Sequence, residues 1–244
     1  ILRILAISGV FAITSRLDAV MSTSSPQAIA TKLLTSALQE MPDVIALANL
    51  FESGGYEFSV VGGPVRDLIL DRPITDLDFT TNANPEQIIS LVEPWADNVW
   101  DVGIAFGTVG VRKKNFQAEI TTYRSEVYRH ESRKPEVKFG TTLEEDLVRR
   151  DFTINAMAVR LPEFIFVDPF GGVEDLSKKL IRTPRAPELS FSDDPLRMMR
   201  AARFTSQLGF TPVVDVLLAI TQMADRITIV SAERIRDEFS KLIL

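Results

Sequence analysis

The apolar positions near the start of the chain recur three and four residues apart, which is the spacing of one helix face. This spacing runs from Pro26 to about Ser53, where Gly54 and Gly55 end it, so two helices are predicted before the first strand. Asn84 stands at the expected N-cap of a further helix. The same spacing predicts helices over residues 85–92, 173–179, 195–208, 212–224 and 232–244.

Short segments rich in β-branched and aromatic residues lie between the helical stretches and are bounded by turn residues. They predict six strands, over residues 57–61, 77–81, 97–102, 108–112, 116–122 and 156–160. Strands interspersed with helices indicate an α+β fold, with a mixed sheet and helices packed beside it. The segment 124–140 is polar, contains Pro135 and shows no periodicity, which predicts a long loop.

The pattern divides the chain into four parts. Residues 1–20 form an apolar run too short to span a bilayer and are predicted to be a non-native or disordered leader, with Met21 as the natural start. Residues 21–56 are predicted to form N-terminal helices, and residues 57–170 a sheet-containing domain. Residues 171–244 are predicted to be helical and truncated, because the last helical pattern still runs at the final residue.

The composition restricts the chemistry to carboxylates and arginines. The 244 residues are 45% apolar, enough for one large domain or two modest ones. With 33 acidic against 27 basic residues, affinity for a nucleic acid would require a local basic patch. The chain has no Cys and a single His, His130, which excludes disulfides, thiolate zinc sites, Cys nucleophiles and paired His ligands.

Two carboxylates, Asp76 and Asp78, lie one residue apart at the second predicted strand. Residues i and i+2 of a strand point the same way, so the pair shares a face and would repel unless a cation lay between them. Carboxylate oxygens suit Mg²⁺, which also takes substrate phosphates. Glu119, on another predicted strand, is the best candidate for a third carboxylate. The alternative is a solvated or turn-capping Asp pair without a metal.

Gly62 and Gly63 follow the first predicted strand and favour a phosphate site, because a Gly-Gly turn lets backbone N–H groups approach a triphosphate closely. Further along, Arg149 and Arg150 directly precede Asp151. The arginines could contact phosphates, and Asp151 could accept a hydrogen bond from a ribose 2′-OH. A surface ion pair of little energetic weight is the alternative for the same residues.

Asp194 and Arg197 open a predicted helix and suggest a base-reading pair. Residues three apart are neighbours on a helix surface, so the pair would present an acceptor beside a fork of donors. Cytosine and adenine each offer an exocyclic amine donor beside a ring-nitrogen acceptor, whereas uracil and guanine offer a carbonyl beside an N–H, so this pair could accept C and A and refuse U and G. Alternatively, Asp193 or Asp194 is only a helix cap. Arg200 and Arg203 lie further round the helix, where they could meet phosphate or pair with acids.

Together, these motifs resemble those of the class II tRNA nucleotidyltransferases, which add CCA to tRNA 3′ ends and to which the bacterial poly(A) polymerases are closely related. The resemblance runs from about Glu57 to the end of the chain, and its motifs are specific only jointly. They are Gly62-Gly63 with Arg66-Asp67, Asp76-x-Asp78, and the segments 119–124, 149–157, 168–172, 193–197 and 233–239.

The resemblance implies a polymerase-β-like nucleotidyltransferase head with a five-stranded mixed sheet, followed by an all-helical neck. It implies an enzyme in which Asp76 and Asp78 bind Mg²⁺, Arg150 and Asp151 face the nucleotide, and Asp194 with Arg197 reads the incoming base. Glu119 is the expected third catalytic carboxylate, and a cytoplasmic location without membrane contact is expected. A tRNA 3′-OH would attack the α-phosphate of CTP or ATP, and pyrophosphate would leave. The predicted nucleotide-binding residues are Gly62, Gly63, Arg66, Arg150, Asp151, Asn155, Asp194, Arg197, Arg200 and Arg203.

The sequence departs from the family pattern in its base-reading motif, which usually begins Glu-Asp and here begins with Asp193. The family's tRNA-gripping body and tail domains are not represented, so the chain is expected to bind CTP and ATP but to act poorly on tRNA. The segment 124–139 resembles the flexible loop with which complete CCA-adding enzymes switch from C to A, which favours CCA addition over poly(A) addition. A non-catalytic nucleotide- or RNA-binding module is the alternative from a different class.

Overall fold

A seven-stranded mixed sheet forms the centre of the computed structural model, which describes residues 25–74, 76–103, 107–127, 136–139 and 142–243. In chain order the strands are β1 (Phe58–Val61), β2 (Leu77–Thr81), β3 (Asn98–Gly103), β4 (Thr108–Lys113), β5 (Phe116–Thr122), β6 (Arg124–Val127), β7 (Glu136–Phe139), β8 (Ala158–Leu161), β9 (Ile165–Val167), β10 (Leu180–Ile181) and β11 (Thr211–Pro212). The large sheet has the order β3-β4-β5-β2-β1-β8-β9. Within it, β2 and β5 are parallel and the other neighbours are antiparallel.

Helices flank this sheet and make up most of the chain after residue 171. In chain order they are α1 (Pro26–Gln39), α2 (Pro42–Ser53), α3 (Gly63–Ile69), α4 (Pro85–Val92), α5 (Leu143–Val148), α6 (Gly172–Lys178), α7 (Pro187–Asp193), α8 (Leu196–Leu208), α9 (Val214–Met223) and α10 (Ala232–Ile243). The predicted cap of α4 is confirmed, because the Asn84 side chain accepts from the Gln87 N–H and the Gln87 side chain accepts from the Asn84 N–H. Among the residues that the structure describes, no helix combines the length and the apolarity needed to cross a membrane.

The apolar core lies on the face of the sheet that α1, α2 and α4 cover. Phe58 of β1 stacks on Phe51 and on Phe79, with ring centroids 4.2 and 4.6 Å apart. Alternation along β2 therefore places Asp78 and Thr80 on the opposite face, away from this aromatic stack. One face of the sheet thus carries the main core, and the opposite face, called the polar face below, carries polar side chains of β2 together with a smaller apolar cluster around Val61.

The fold class is confirmed, but the sheet has seven strands where the resemblance implied five. Six of the seven correspond to the strands predicted from the pattern. The additional strand, β9, has three residues and pairs with β8 at the edge of the sheet. A segment this short shows too few positions for an alternating pattern to be recognised.

The predicted loop over residues 124–140 contains two strands. β6 and β7 pair antiparallel in a separate two-stranded sheet. The pattern missed them because each strand has only four residues and lies in a mainly polar segment. Residues 128–135 and 140, in the centre and at the end of the predicted loop, lie outside the described residues, as do the predicted leader and Met21.

The predicted helical part, residues 171–244, is mainly helical where the structure describes it, with two corrections. It is not entirely helical, since β10 and β11 form a short parallel pair. Asp193 and Asp194 also do not open a helix as predicted. Instead, α7 ends at Asp193, Asp194 is extended with φ −144° and ψ 100°, and α8 begins at Leu196. Pro195, which has no N–H to donate, separates the two helices, and Asp194 Oδ1 accepts the Leu196 N–H at 3.2 Å.

Candidate active site

Two carboxylates lie side by side on the polar face of the sheet. Asp78 of β2 and Glu119 of β5 are register partners across the parallel pair, so their side chains leave the same face. Asp76 is exposed and lies just before β2. The structure therefore brings Glu119 opposite the Asp-x-Asp motif, as the sequence predicted.

The environment of Asp78 suits a cation. Burial raises the pKa of this carboxyl to about 6, opposed by the charge of Arg150 and supported by the neighbouring charges of Glu119 and Asp76. Within the described ranges, no group of three or more His, Asp and Glu side chains is arranged to hold a metal ion. Mg²⁺, however, needs only one or two protein carboxylates when substrate phosphates and water complete its coordination. The donor set around Asp78 fits that requirement.

The glycine turn that follows β1 makes room for an arginine. Gly62 has φ 75° and ψ −130°, a conformation that only glycine adopts readily. A Cβ atom there would lie 2.8 Å from Nη1 of Arg150. The Gly62 N–H donates to the Met157 carbonyl, so it contributes to the backbone of the turn. The contribution of Gly62 that the structure shows is therefore the space that it leaves for Arg150.

Substitution of Gly62 by Ala is expected to lower the free energy of unfolding by about 2 kcal/mol, because it combines backbone strain with displacement of Arg150. Gly209→Ala is the matched control. Gly209 also has a positive φ of 69°, but nothing lies within 4 Å of its added Cβ, so about 1 kcal/mol is expected there. Urea denaturation of both variants measures the difference. Equal losses would show that the Arg150 contact adds nothing to the backbone strain.

Arg149 and Arg150 converge on a buried acid, Asp146. Nη2 of Arg149 lies 2.8 Å from Asp146 Oδ1, and Nη2 of Arg150 lies 2.9 Å from Oδ2. Burial alone would raise the pKa of Asp146, but the charges of Arg150 and Arg149 outweigh it and lower that pKa. The surface ion pair considered from the sequence is therefore replaced by a pair of arginines fixed on an internal carboxylate.

Asp151 also belongs to an internal network. Its carboxylate accepts hydrogen bonds from Arg200 at 2.7 Å and from Asn155 Nδ2 at 2.9 Å. Burial by itself would raise its pKa, but the Arg200 charge and these hydrogen bonds lower the pKa to about 2. Asn155 in turn accepts from Arg66 at 2.7 Å. These residues thus connect α3, α8 and the turn after α5.

The two residues of the predicted base-reading pair, Asp194 and Arg197, line the same cavity. Asp194 Oδ2 accepts from Arg234 of α10 at 2.8 Å. Arg197 is 8% exposed, and its Nη1 donates to Ser190 Oγ at 2.8 Å. Its Nη2 donates to the carbonyl of Arg149. Because Asp194 precedes α8, the two residues are not neighbours on a helix surface as predicted, although both line the same cavity.

That cavity, of about 380 Å³, joins the carboxylates to the arginines. It is lined by more guanidinium groups than acids, although the whole chain carries a net charge of −6. This is the local basic patch that an acidic chain would need to bind phosphates. The lining acids are Asp78, Glu119, Asp151 and Asp194, and the lining arginines are Arg124, Arg149, Arg150, Arg197, Arg200 and Arg234.

Some predicted nucleotide-binding residues support the cavity without lining it. Arg66 makes two hydrogen bonds to Asp67 and one to Asn155. Arg203 pairs with Glu238 at 2.5 Å and lies over the Phe204 ring at 4.4 Å. The lining also does not include Gly62, Gly63 and Asn155, or the predicted metal ligand Asp76.

Asp146 and Arg234 are among the residues of the site that sequence reasoning missed. Asp146 lies three and four positions before the two arginines that it binds, which is the helical spacing for ion pairs. That spacing could have identified it if α5 had been predicted. Arg234 lies 40 residues after its partner Asp194, and no local signal joins residues so far apart.

Comparison with known proteins relates two segments of the chain to poly(A) polymerase families. Residues 58–182, just over half of the chain, match the family model "Poly A polymerase head domain". Residues 209–244 match the model "Probable RNA and SrmB- binding site of polymerase A". The CCA-adding enzyme of Lactobacillus helveticus is 45% identical over 210 residues, which are 84% of this chain and 51% of that enzyme.

Two solved structures show the same fold. The Bacillus stearothermophilus CCA-adding enzyme in complex with CTP is 37% identical with a TM-score of 0.71, covering 90% of this chain and 49% of that one. A tRNA nucleotidyltransferase complexed with a primer tRNA and an incoming ATP analog is 30% identical with a TM-score of 0.67, covering 79% and 54%. This chain spans about half the length of the curated relatives it matches. On the family-model match, which covers just over half of its residues, the chain belongs to the poly(A) polymerase head-domain family, and the relatives that it resembles are named CCA-adding enzymes.

Proposed function

We propose that this protein adds CCA to the 3′ end of tRNA, using CTP and ATP and releasing pyrophosphate. One observation carries the proposal: facing carboxylates, Asp78 and Glu119, share a cavity with a cluster of arginines. Nucleotidyl transfer needs both, because a cation must be held near the reacting phosphate and the triphosphate charge must be balanced. The relatives named CCA-adding enzymes, and those solved with CTP and with a primer tRNA, support this choice of substrates.

The carboxylates are proposed to hold Mg²⁺. Asp76 and Asp78 would be the ligands, and Glu119 the third carboxylate facing them. Bound Mg²⁺ would polarise the transferring phosphoryl group and favour loss of the proton from the attacking hydroxyl. The protein's own part is to keep the carboxylates in register on one rigid sheet face, which fixes where the α-phosphate can lie.

The arginines are proposed to bind the triphosphate. Arg149 and Arg150 line the cavity and supply the positive charge that a triphosphate requires. Planar guanidinium groups bind phosphate oxygens through two parallel hydrogen bonds, which fixes direction as well as charge. Asp151 would accept the ribose 2′-OH while it remains bound to Arg200.

Asp194 and Arg197 are proposed to read the incoming base. The Asp194 carboxylate would accept a hydrogen bond from the exocyclic amine of C or A, and the Arg197 guanidinium would donate one to the adjacent ring nitrogen. Arg197 is buried and bonded to Ser190, so its orientation is fixed before a nucleotide arrives. A fixed donor fork discriminates better than a mobile one, since it cannot turn to suit U or G.

The domain division near residues 169–172 and a cytoplasmic location are part of the same proposal. Poly(A) addition is the second candidate function, favoured by the family model, which is described as a poly(A) polymerase head domain. A non-catalytic nucleotide-binding module is the third.

Incorporation of CTP and ATP, separately and together, onto tRNA trimmed of its CCA end tests the three candidates. CCA addition predicts two C residues with CTP alone and one terminal A when both nucleotides are present. Long A tracts with CTP ignored would establish poly(A) addition instead. No incorporation by the full-length gene product, despite measurable CTP binding, would support a binding module.

A further inference from the structure

Asp146 is a fully buried carboxylate that connects two arginines of the cavity. It lies on α5, and each of its oxygens accepts two hydrogen bonds from one arginine. Oδ1 binds Nε and Nη2 of Arg149 at 3.2 and 2.8 Å, and Oδ2 binds Nε and Nη2 of Arg150 at 3.3 and 2.9 Å. Four charge-assisted bonds fix both guanidinium planes relative to one group.

The helix that carries Asp146 is itself fixed to the polar face of the sheet. Leu143 and Leu147 are buried against Val61 of β1 and Tyr123. The Asp146 carboxylate is therefore anchored to the same sheet as Asp78, and its position does not depend on exposed side chains. The side chains that bind this carboxylate are therefore held in a fixed position as well.

Both arginines reach the cavity from this anchor. Their side chains remain 18% and 20% exposed, whereas Asp146 is 0% exposed. Nη1 of Arg150 lies against Gly62, and the backbone carbonyl of Arg149 accepts from Arg197. The Asp146 carboxylate thus binds both proposed phosphate-binding arginines. One of them, Arg149, also accepts at its backbone carbonyl a hydrogen bond from Arg197, the proposed base-reading residue.

We propose that Asp146 is a positioning residue, whose carboxylate holds the guanidinium groups of Arg149 and Arg150 where they receive the triphosphate of the incoming nucleotide. The inference rests on the proposed nucleotide binding at this cavity. Asp146 itself does not touch the substrate. Its effect on binding passes entirely through the two arginines.

Charge and positioning predict opposite results when Asp146 loses its charge. An anion behind the cavity repels a triphosphate, so by Coulomb's law alone its removal would tighten CTP binding. If the carboxylate positions the arginines, its removal lets both side chains leave the cavity and weakens CTP binding. The sign of the change therefore separates the two effects.

Asp146→Asn is expected to reduce CTP affinity about tenfold relative to the affinity for cytidine, the phosphate-free probe. Calorimetry measures the first affinity and ligand-observed NMR the second. A purely structural role would lower both affinities together and leave their ratio unchanged. Glu144→Gln is the matched control, because Glu144 lies on the same helix and pairs with Arg160, which does not line this cavity.

Asp146→Glu provides the decisive measurement if the Asn variant does not fold. It keeps the charge but moves the carboxylate by one methylene, so the CTP-to-cytidine ratio is again expected to fall, while Glu144→Gln leaves it unchanged. An unchanged or increased ratio in the folded Asp146 variant would overturn the inference while the proposed function stands. Absence of CTP binding by the unaltered protein would reject both.

Discussion

Replacement of Asp78 by Asn is expected to lower the rate of CMP transfer from CTP by about a thousandfold, because it removes a charged oxygen where a cation must balance the transferring phosphoryl group. The fold should tolerate the change, since Asn has the same shape and the residue it replaces is only partly buried. Circular dichroism and single-turnover incorporation on trimmed tRNA measure the two properties. Excess chelator should abolish the activity of the unaltered protein, and added Mg²⁺ should restore it.

Asp97→Asn is the matched control for this substitution. Asp97 is exposed near the edge strand β3, where its carboxylate accepts the Lys114 N–H at 2.7 Å, and Asn can keep that bond. Its rate is expected to stay within about twofold of the unaltered protein. If CMP transfer survived Asp78→Asn, or continued in chelator, the metal assignment would be wrong.

Replacement of Asp194 by Ala is expected to reduce discrimination against UTP and GTP by about tenfold to a hundredfold. In the unaltered protein, the carbonyl of U or G would lie against the Asp194 carboxylate, and two acceptors repel each other. Without the carboxylate this repulsion is lost, so UTP and GTP are no longer disfavoured. The expected signature is a larger change in base selectivity than in the incorporation rate of whichever base binds. Competition between CTP and UTP in a single-nucleotide assay measures it.

Asp215→Ala controls for loss of an acid near the same helices. Asp215 is exposed in the first turn of α9, and it does not line the cavity. Selectivity is expected to be unchanged in this variant. A uniform rate loss in Asp194→Ala, with selectivity intact, would remove the base-reading role. Asp194 is preferred to Arg197 for the test, because Arg197 is buried and its loss would leave Ser190 without its donor.

Local composition predicted most of the strands, because β-branched and aromatic residues favour strands and turn residues bound them. The strands around Phe58 and Phe79 were found in this way, and the two rings stack in the core. β9 and α5 were missed because three and six residues are too few to show a period. The start of α8 was predicted at Asp193 and Asp194, but α7 ends at Asp193. The error arose because an Asp-Pro pair can mark either the end of one helix or the start of the next.

The site was predictable where its chemistry is local in sequence. The pairing of Glu119 with Asp78 required only that their strands be neighbours. Asp76, which the strand pattern predicts on the same face as Asp78, lies just before β2. The roles of Arg66 and Arg203 were not predictable, because an arginine near a cavity can face substrate or bind an acid behind the wall. Arg203 binds Glu238, which lies 35 residues away and is itself buried.

The parallel pairing of β2 and β5 protects the site against a slip in strand alignment. Because side chains alternate, sliding β5 by one residue would bring Ile120 to the polar face and carry Glu119 into the core. Ile120 is now completely buried, as is Phe79 beside it apart from 1% of its surface. The misaligned sheet would therefore expose an apolar side chain and bury an unpaired charge at the same time. Folding errors that would destroy the carboxylate pair are thus among the least stable ones available to this sheet.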